Sequence, residues 1–188
     1  MELFNLQGKK ALVTGSSRGI GKSLALGLAE SGADVIVHCA KSIDKARKVA
    51  REIEGYDVQS GVVAADLNDI KAPEKIYDYI KKEFNSIDIF IHNASVQYRK
   101  NWQQINDEEF DTQMNVNLKS SLRLIQLFTP DMIEKNWGRI VTIGSVQQDK
   151  PHPDMVVYAA SKMAQVNMVN NLAQQLAGYS ITVNNIAP

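Results

Sequence analysis

Short apolar runs rich in β-branched residues alternate with stripes of helical period along this chain, and no other feature constrains its fold as tightly. Lys10 to Thr14 (KALVT), Val35 to Cys39, Val58 to Ala65, Ile87 to Ile91, Arg139 to Ile143 and Ile181 to Ile186 each have the length and composition of a buried strand. Between them, apolar residues recur every three or four positions. Ile20, Leu24 and Leu28, with Ala25 and Ala29 beside them, form one stripe that stops at Gly32. Ile43, Ala46, Val49, Ala50 and Ile53 form a second, closed by Gly55, and Ile76, Ile80 and Phe84 a third, with Pro73 suited to its first turn. Asn106 and Glu109 have capping-box spacing, opening a long helix through Phe110, Met114, Leu118, Leu122 and Ile125 that Pro130 is expected to kink or end. A further helix is expected across Tyr158 to Leu176. Strands alternating with helices imply right-handed crossovers and a parallel sheet covered on both faces. The expected fold is α/β, a doubly wound parallel sheet in three layers. Residues 1–188 are expected to form one domain, since no linker, repeat or low-complexity segment divides them.

Composition narrows what such a domain can do. At 188 residues and 44% hydrophobic it can bury a real core. Its 21 Lys plus Arg balance 21 Asp plus Glu, so no polyanion-binding surface and no nucleic-acid partner is expected. No apolar stretch approaches the roughly 18 residues of a membrane span, and the start, MELFNLQGKK, lacks the apolar core of a signal peptide. With one cysteine, Cys39, no internal disulfide can form, and a cytoplasmic location is favoured. His38, His92 and His152 are scattered without metal-ligand spacing, so no metal site is expected. Cys39 reads as a strand residue, and Trp102 and Trp137 as packing residues near helix ends.

Chemistry concentrates at three places. Thr14-Gly15-Ser16-Ser17-Arg18-Gly19-Ile20-Gly21 joins the first strand to the first helix. Gly15 suits a tight turn, Gly19 a close approach of backbone to a pyrophosphate, and Gly21 close packing of helix on strand. The helix behind it offers free N–H groups and the positive end of its dipole to an anion. Tyr158 and Lys162 are four residues apart and so share one helix face. An ammonium beside a phenol favours the phenolate, and such a couple can give a proton to a carbonyl oxygen or take one from an alcohol. Ser145 follows the fifth strand at its carboxyl end, where open α/β sheets place ligands, and its hydroxyl could bind a substrate oxygen. Gln97, Tyr98, Gln147, Gln148 and His152 follow strands on the same side, which fits either a polar substrate or a solvated loop.

Taken in order, these residues resemble the short-chain dehydrogenase/reductase family. TGSSRGIG resembles its glycine motif, His92-Asn93-Ala94-Ser95 stands where it usually has Asn-Asn-Ala-Gly, and Asn117 resembles its active-site asparagine. Ser145, Tyr158-Ala159-Ala160-Ser161-Lys162 and Val183 to Pro188 match its later landmarks, so the resemblance covers the whole chain. It implies a Rossmann fold and an NAD(P)-dependent oxidoreductase acting between carbonyl and secondary alcohol. Tyr158 would be the general acid or base and Lys162 would assist its ionisation and hold the nicotinamide ribose. Ser145 would position the carbonyl and Asn117 a water in a proton relay. Cofactor contacts are implied at Gly15, Ser17, Arg18, Gly19, Ile20, Gly21, Lys41, Asp66, Leu67, Asn93, Ala94, Tyr158, Lys162 and Pro188, with Asp66 at the adenine. His92 and Ser95 depart from the family pattern. Family members usually continue beyond this point, so a last strand and a substrate lid are expected to be missing.

The end of the second strand, Val37-His38-Cys39-Ala40-Lys41, has no acid to bind a ribose 2′-hydroxyl. Arg18 and Lys41 could instead meet a 2′-phosphate, so NADP(H) is expected over NAD(H), although Lys41 alone reads equally well as a solvated lysine. The substrate is of β-ketoacyl-acyl-carrier-protein or of sugar/polyol type. A non-catalytic NADP(H)-binding sensor, and an epimerase or dehydratase, are the alternatives on the same fold. Apolar residues on more than one face of two helices (Leu122 and Leu124; Met163, Val166 and Val169) point to a homodimer or homotetramer, as the family implies.

Overall fold

The computed structural model describes residues 4–188, so the first three residues of the expected domain lie outside the described residues. Six strands build one parallel sheet: β1 (Lys10–Val13), β2 (Asp34–Cys39), β3 (Ser60–Ala64), β4 (Ile89–His92), β5 (Gly138–Ile143) and β6 (Ile181–Ile186). Their order across the sheet is β3-β2-β1-β4-β5-β6. The doubly wound expectation therefore holds. β1 and β4 are neighbours whose crossovers leave in opposite directions, and that switch point opens a crevice at the carboxyl ends of the strands.

Register explains how so short a β1 is fixed. Leu12 pairs with Ile36 on one side and Phe90 on the other, and Ala11 and Val13 do the same with Val35, Val37, Ile89 and Ile91. Because side chains alternate, each rung belongs to one of two cores. Leu12, Ile36, Phe90 and Ile140 pack against α3 (Ala72–Glu83), α5 (Ser120–Glu134) and α6 (Val156–Leu176). Ala11, Val13, Val35 and Val37 pack against α1 (Gly19–Glu30) and α2 (Ile43–Glu54). A one-residue slip would exchange the two sets, so the register is strongly specified.

One expectation about the central helices needs correction, and a second is narrowed. The helix opened by the Asn106–Glu109 capping box is not continuous: α4 (Asp107–Met114) gives way to a π turn over Asn115–Lys119 before α5 begins. Of the two outcomes expected at Pro130, a kink or an end, the end does not occur, since α5 runs on to Glu134. A proline inside a helix costs about 3 kcal/mol, whereas each buried large apolar side chain contributes about 1.5–3 kcal/mol. Leu124, Ile125, Phe128 and Met132 are all buried around Pro130, and their packing outweighs the lost hydrogen bond. Trp102 also departs from expectation, lying 66% exposed on a single 3₁₀ turn. Trp137 does pack, between the Lys9 ammonium (4.0 Å from the ring centroid) and the Arg139 guanidinium (4.4 Å).

Candidate active site

A cleft of about 560 Å³ opens at the switch point. Its walls bring together Gly15, Ser17, Arg18, Gly19, Ile20 and Gly21 from the glycine turn with Lys41, Asp66, Leu67, Asn93 and Ala94 from the ends of the neighbouring strands. Tyr158, Lys162 and Pro188, also named from the sequence, are not among its lining residues. The Pro188 carbonyl instead accepts the N–H of Val146, beside Ser145.

The turn is shaped by contacts that leave no room for a side chain. A Cβ on Gly21 would stand 2.5 Å from Asn93 Nδ2, 2.6 Å from the Gly15 carbonyl oxygen and 2.9 Å from Ser16 Cα. Gly19 has φ +56° and open space around it, so its need for glycine is conformational. Gly21→Ala is therefore expected to cost about 2–4 kcal/mol of stability and Gly19→Ala only about 1 kcal/mol, as read by urea unfolding. Equal losses would show that the close approach at Gly21 has no energetic weight.

Asn93 closes the turn from the far side. Its Nδ2 donates to the carbonyls of Thr14 (2.9 Å) and Gly15 (3.3 Å). Thr14 Oγ1 accepts the N–H groups of Asn93 and Ala94, both at 3.0 Å. With its lone pairs so used, the Thr14 proton is left for His92 Nδ1 at 3.4 Å or the Ile91 carbonyl at 3.5 Å. His92 is fully buried, and its other nitrogen, Nε2, has no hydrogen-bond partner among the described residues. Burial, reinforced by the Lys162 charge, lowers its pKa to about 3.

His38 has a role the sequence reading missed. Gly15 N–H donates to its Nδ1 (3.0 Å), while its Nε2 lies 2.9 Å from the Ala65 carbonyl, an arrangement that fits only the neutral ring with the proton on Nε2. Ser16 Oγ accepts the His38 N–H at 3.0 Å and donates to Val13 O at 2.7 Å. His38 thus ties the glycine turn to β2 and β3, and burial lowers its pKa to about 4. A signal existed, because His38 occupies the carboxyl end of β2, one rung beyond the Val13–Val37 pair.

An anion fits this cleft. The N-cap of α1 is Arg18, whose side chain makes no capping hydrogen bond, and the first turn contains no acid. The helix therefore presents its N–H groups and positive dipole end uncompensated. Neither Arg18 nor Lys41 forms an ion pair among the described residues.

The residues named from the sequence as catalytic candidates lie on α6, in the loop after β5 and in the π turn. The Tyr158 ring is 9% exposed, and among the described residues no partner holds its hydroxyl. Lys162 Nζ is 5.7 Å from the Tyr158 ring centroid and donates to the Ile143 carbonyl at 2.7 Å. Burial brings the Lys162 pKa down to about 8. Ser145 caps the 3₁₀ turn Val146–Gln148, accepting the Gln147 N–H at 3.2 Å. Asn117 sits in the π turn with its amide saturated. Its Oδ1 accepts from Ser95 Oγ (3.1 Å) and Val96 N–H (2.8 Å), and its Nδ2 donates to the Val96 carbonyl (2.9 Å) and Ser161 Oγ (3.0 Å). The Asn117 side chain is left with no free group, and its main-chain carbonyl also meets α6, accepting from Gln165 Nε2. Ser95, a departure from the family glycine, takes part in this anchoring.

At the mouth, the loops following β4 and β5 are stitched together. Lys100 N–H donates to the Asp154 carbonyl (2.9 Å), and the Arg99 guanidinium lies 3.2 Å from His152 Nε2. Gln147 Oε1 accepts the His152 N–H (2.6 Å), and Gln147 N–H in turn reaches Ser145 Oγ. Arg99 has no carboxylate partner among the described residues. Gln148, by contrast, is structural: its Oε1 accepts from Ser145 N–H (3.4 Å) and Asn185 Nδ2 (3.1 Å).

A six-stranded parallel sheet with a glycine turn at its switch-point crevice places the chain among the Rossmann-type nicotinamide-dependent oxidoreductases. It belongs to the short chain dehydrogenase family, whose model matches residues 9–188. A 3-oxoacyl-[acyl-carrier-protein] reductase of Staphylococcus aureus is 35% identical over 180 residues, covering 96% of this chain and 73% of the relative. Among solved structures, a 3-oxoacyl (acyl-carrier-protein) reductase from Agrobacterium tumefaciens with NADP bound superposes with a TM-score of 0.94 at 35% identity, covering 100% of this chain and 72% of that one. A gluconate 5-dehydrogenase from Burkholderia cenocepacia, in complex with NADP and tartrate, does so with a TM-score of 0.91 at 31% identity, covering 100% and 73%. The chain is accordingly an NAD(P)-dependent oxidoreductase acting between C=O and CH–OH groups. Among the described residues no helix is long and apolar enough to cross a membrane.

Proposed function

We propose that this chain is an NADP(H)-preferring ketone reductase or alcohol dehydrogenase whose substrate is a small hydroxylated compound bearing a negative charge. Gly15, Ser17, Gly19, Ile20 and Gly21 would hold the pyrophosphate and its flanks, and Asp66, Leu67, Asn93 and Ala94 the adenosine half. Tyr158, Lys162 and Pro188 would meet the nicotinamide half. Bound there, the cofactor supplies or takes up a hydride. Ser145 would hydrogen-bond the substrate oxygen while Tyr158 donates a proton to it in reduction or removes one in oxidation. Lys162 keeps a positive charge beside that phenol, and Asn117, through its main-chain carbonyl, would hold a water in the proton relay toward solvent. The saturation of its amide supports a carbonyl role over a side-chain one.

The absence of an acid at the end of β2, with two cations near it that form no ion pair among the described residues, supports NADP(H) over NAD(H). An Arg18→Ala variant is expected to weaken NADPH binding about 10- to 100-fold and to leave NADH binding unchanged, as read by fluorescence titration. Equal weakening of both would remove Arg18 from the 2′-phosphate.

One observation carries the substrate class. Hydrogen bonds run from His152 through Gln147 to Ser145, and beside His152 Nε2, at 3.2 Å, stands the Arg99 guanidinium, which has no carboxylate partner among the described residues. A guanidinium so placed is a ready partner for a substrate carboxylate. The likeness to a gluconate 5-dehydrogenase crystallised with tartrate supports a sugar acid. Likeness to 3-oxoacyl-[acyl-carrier-protein] reductases supports the second reading, a β-ketoacyl thioester. With NADPH, a keto sugar acid is expected to turn over, and Arg99→Ala is expected to raise its KM at least about tenfold while sparing a neutral ketone. Preference for an acetoacetyl thioester, unaffected by Arg99→Ala, would establish the second reading instead.

The subunit contacts implied by the family have suitable surfaces here. Leu124 and Val169 face the core, whereas Leu122 and Met163 are 37% and 49% exposed on the same helices. Covering those outer faces with a second copy of the chain supports a homodimer or homotetramer.

A further inference from the structure

Gln165 is the third polar residue of α6 to be wholly buried, after Ser161 and Lys162; it lies one turn beyond Lys162, and none of the roles given above uses it. An amide without partners would be costly there, but both of its ends are engaged. Its Nε2 donates to the main-chain carbonyl of Asn117 at 3.2 Å. Its Oε1 faces Lys162 Nζ at 3.5 Å, a long contact that counts as a dipole aimed at a charge rather than as a strong hydrogen bond. The Asn117 carbonyl belongs to the π turn, so the amide spans from the one irregular turn of the central helices to the buried ammonium.

We propose that Gln165 is a positioning residue for the active site, a buried amide that clamps the Lys162 ammonium to the main chain of Asn117. This rests on the reading of Lys162 as the cation that supports Tyr158. Three groups set the charge environment of Lys162. Tyr158 lies one turn back on its own helix. The Ile143 carbonyl of β5 accepts its proton at 2.7 Å, and His92 on β4 stands neutral behind it. No carboxylate pairs with Lys162 among the described residues, so the dipoles of Ile143 and Gln165 stand where a counter-ion would otherwise be. Burial already disfavours the ammonium, and the Gln165 carbonyl dipole opposes that effect.

The test follows the ionisation of Lys162 itself, by the pH titration of its Cε resonance in protein labelled with ¹³C-lysine and assigned with Lys162→Arg. Gln165→Leu, of similar bulk, is expected to lower the Lys162 midpoint by about half a unit or more, and Gln165→Glu to raise it above the parent value. The alkaline limb of NADPH-dependent reduction is expected to move in the same two directions. A merely structural role for Gln165 would lower stability in both variants with the midpoints unmoved, and that result overturns the clamp. Because the resonance is read without substrate, it decides the clamp even if the parent reduces no ketone, which would instead count against the proposed function.

Discussion

Tyr158→Phe is expected to lower turnover by about 10²- to 10⁴-fold while leaving NADPH affinity within about twofold of the parent. The expectation follows from how little the substitution removes. The ring is buried on α6 and is retained, so the packing that places Lys162 and Ser161 is unchanged. The hydroxyl has no partner among the described residues, so its loss leaves no buried group unsatisfied. The glycine turn, whose residues line the cleft, is a separate element, and Tyr158 is not among that lining. Activity and binding should therefore separate cleanly in steady-state kinetics and in a cofactor titration of the same preparation. Normal turnover would remove Tyr158 from the chemistry. Loss of both together would mean that the substitution acts through the fold.

Acid should destabilise this protein well before its carboxylates are protonated. His38 and His92 have folded pKa values lowered to about 4 and about 3, against about 6.5 in an unfolded chain. Lowered values mean that the unfolded state binds protons first as the pH falls. Both histidines therefore favour the fold fully above about pH 6.5, and that contribution declines progressively down toward about pH 4 for His38 and about pH 3 for His92. Between pH 7 and pH 5 the pair accounts for a loss of roughly 3–4 kcal/mol. The effect is tied to function through His38, because a proton on Nδ1 would face the Gly15 N–H that this atom now accepts. Cofactor affinity and stability should thus decline over the same pH range. Urea unfolding at pH 7, 6 and 5 of the parent and of His38→Asn checks it, the variant being expected to lose about half of the pH dependence. Identical slopes in the two proteins would show that His38 titrates as an ordinary exposed imidazole.

Much of the fold was legible because each strand carries its own signal. Ile181 to Ile186 and Ile43 at the start of α2 lie where their patterns put them, and the Asn106–Glu109 spacing is a capping box in the structure. The π turn was not legible. Nothing in Asn115-Val116-Asn117-Leu118-Lys119 distinguishes it from helix, since the extra residue is held by contacts to Val96 and Ser161, distant in sequence. Nor could local pattern tell which of a kink and an end to expect at Pro130; burial on both sides of it carries the helix through.

The site divides in the same way. The glycine motif and the Tyr158–Lys162 spacing are local patterns and could be read directly. His38, Ser95, Arg99 and Gln165 act through partners that only the sheet order brings near. His38 reaches Gly15 because β2 lies beside β1, and Arg99 reaches His152 because β4 lies beside β5. A single buried histidine or glutamine reads as a core residue until those neighbours are known.

The central claim, that the cleft at the switch point is built for NADP(H), is tested most directly by titrating the chain with NADPH and NADH side by side and following cofactor fluorescence. Binding of NADPH at least about tenfold tighter than NADH is expected, from the cations Arg18 and Lys41 and the missing acid of β2. Tighter binding of NADH, or binding of neither nucleotide, would contradict it.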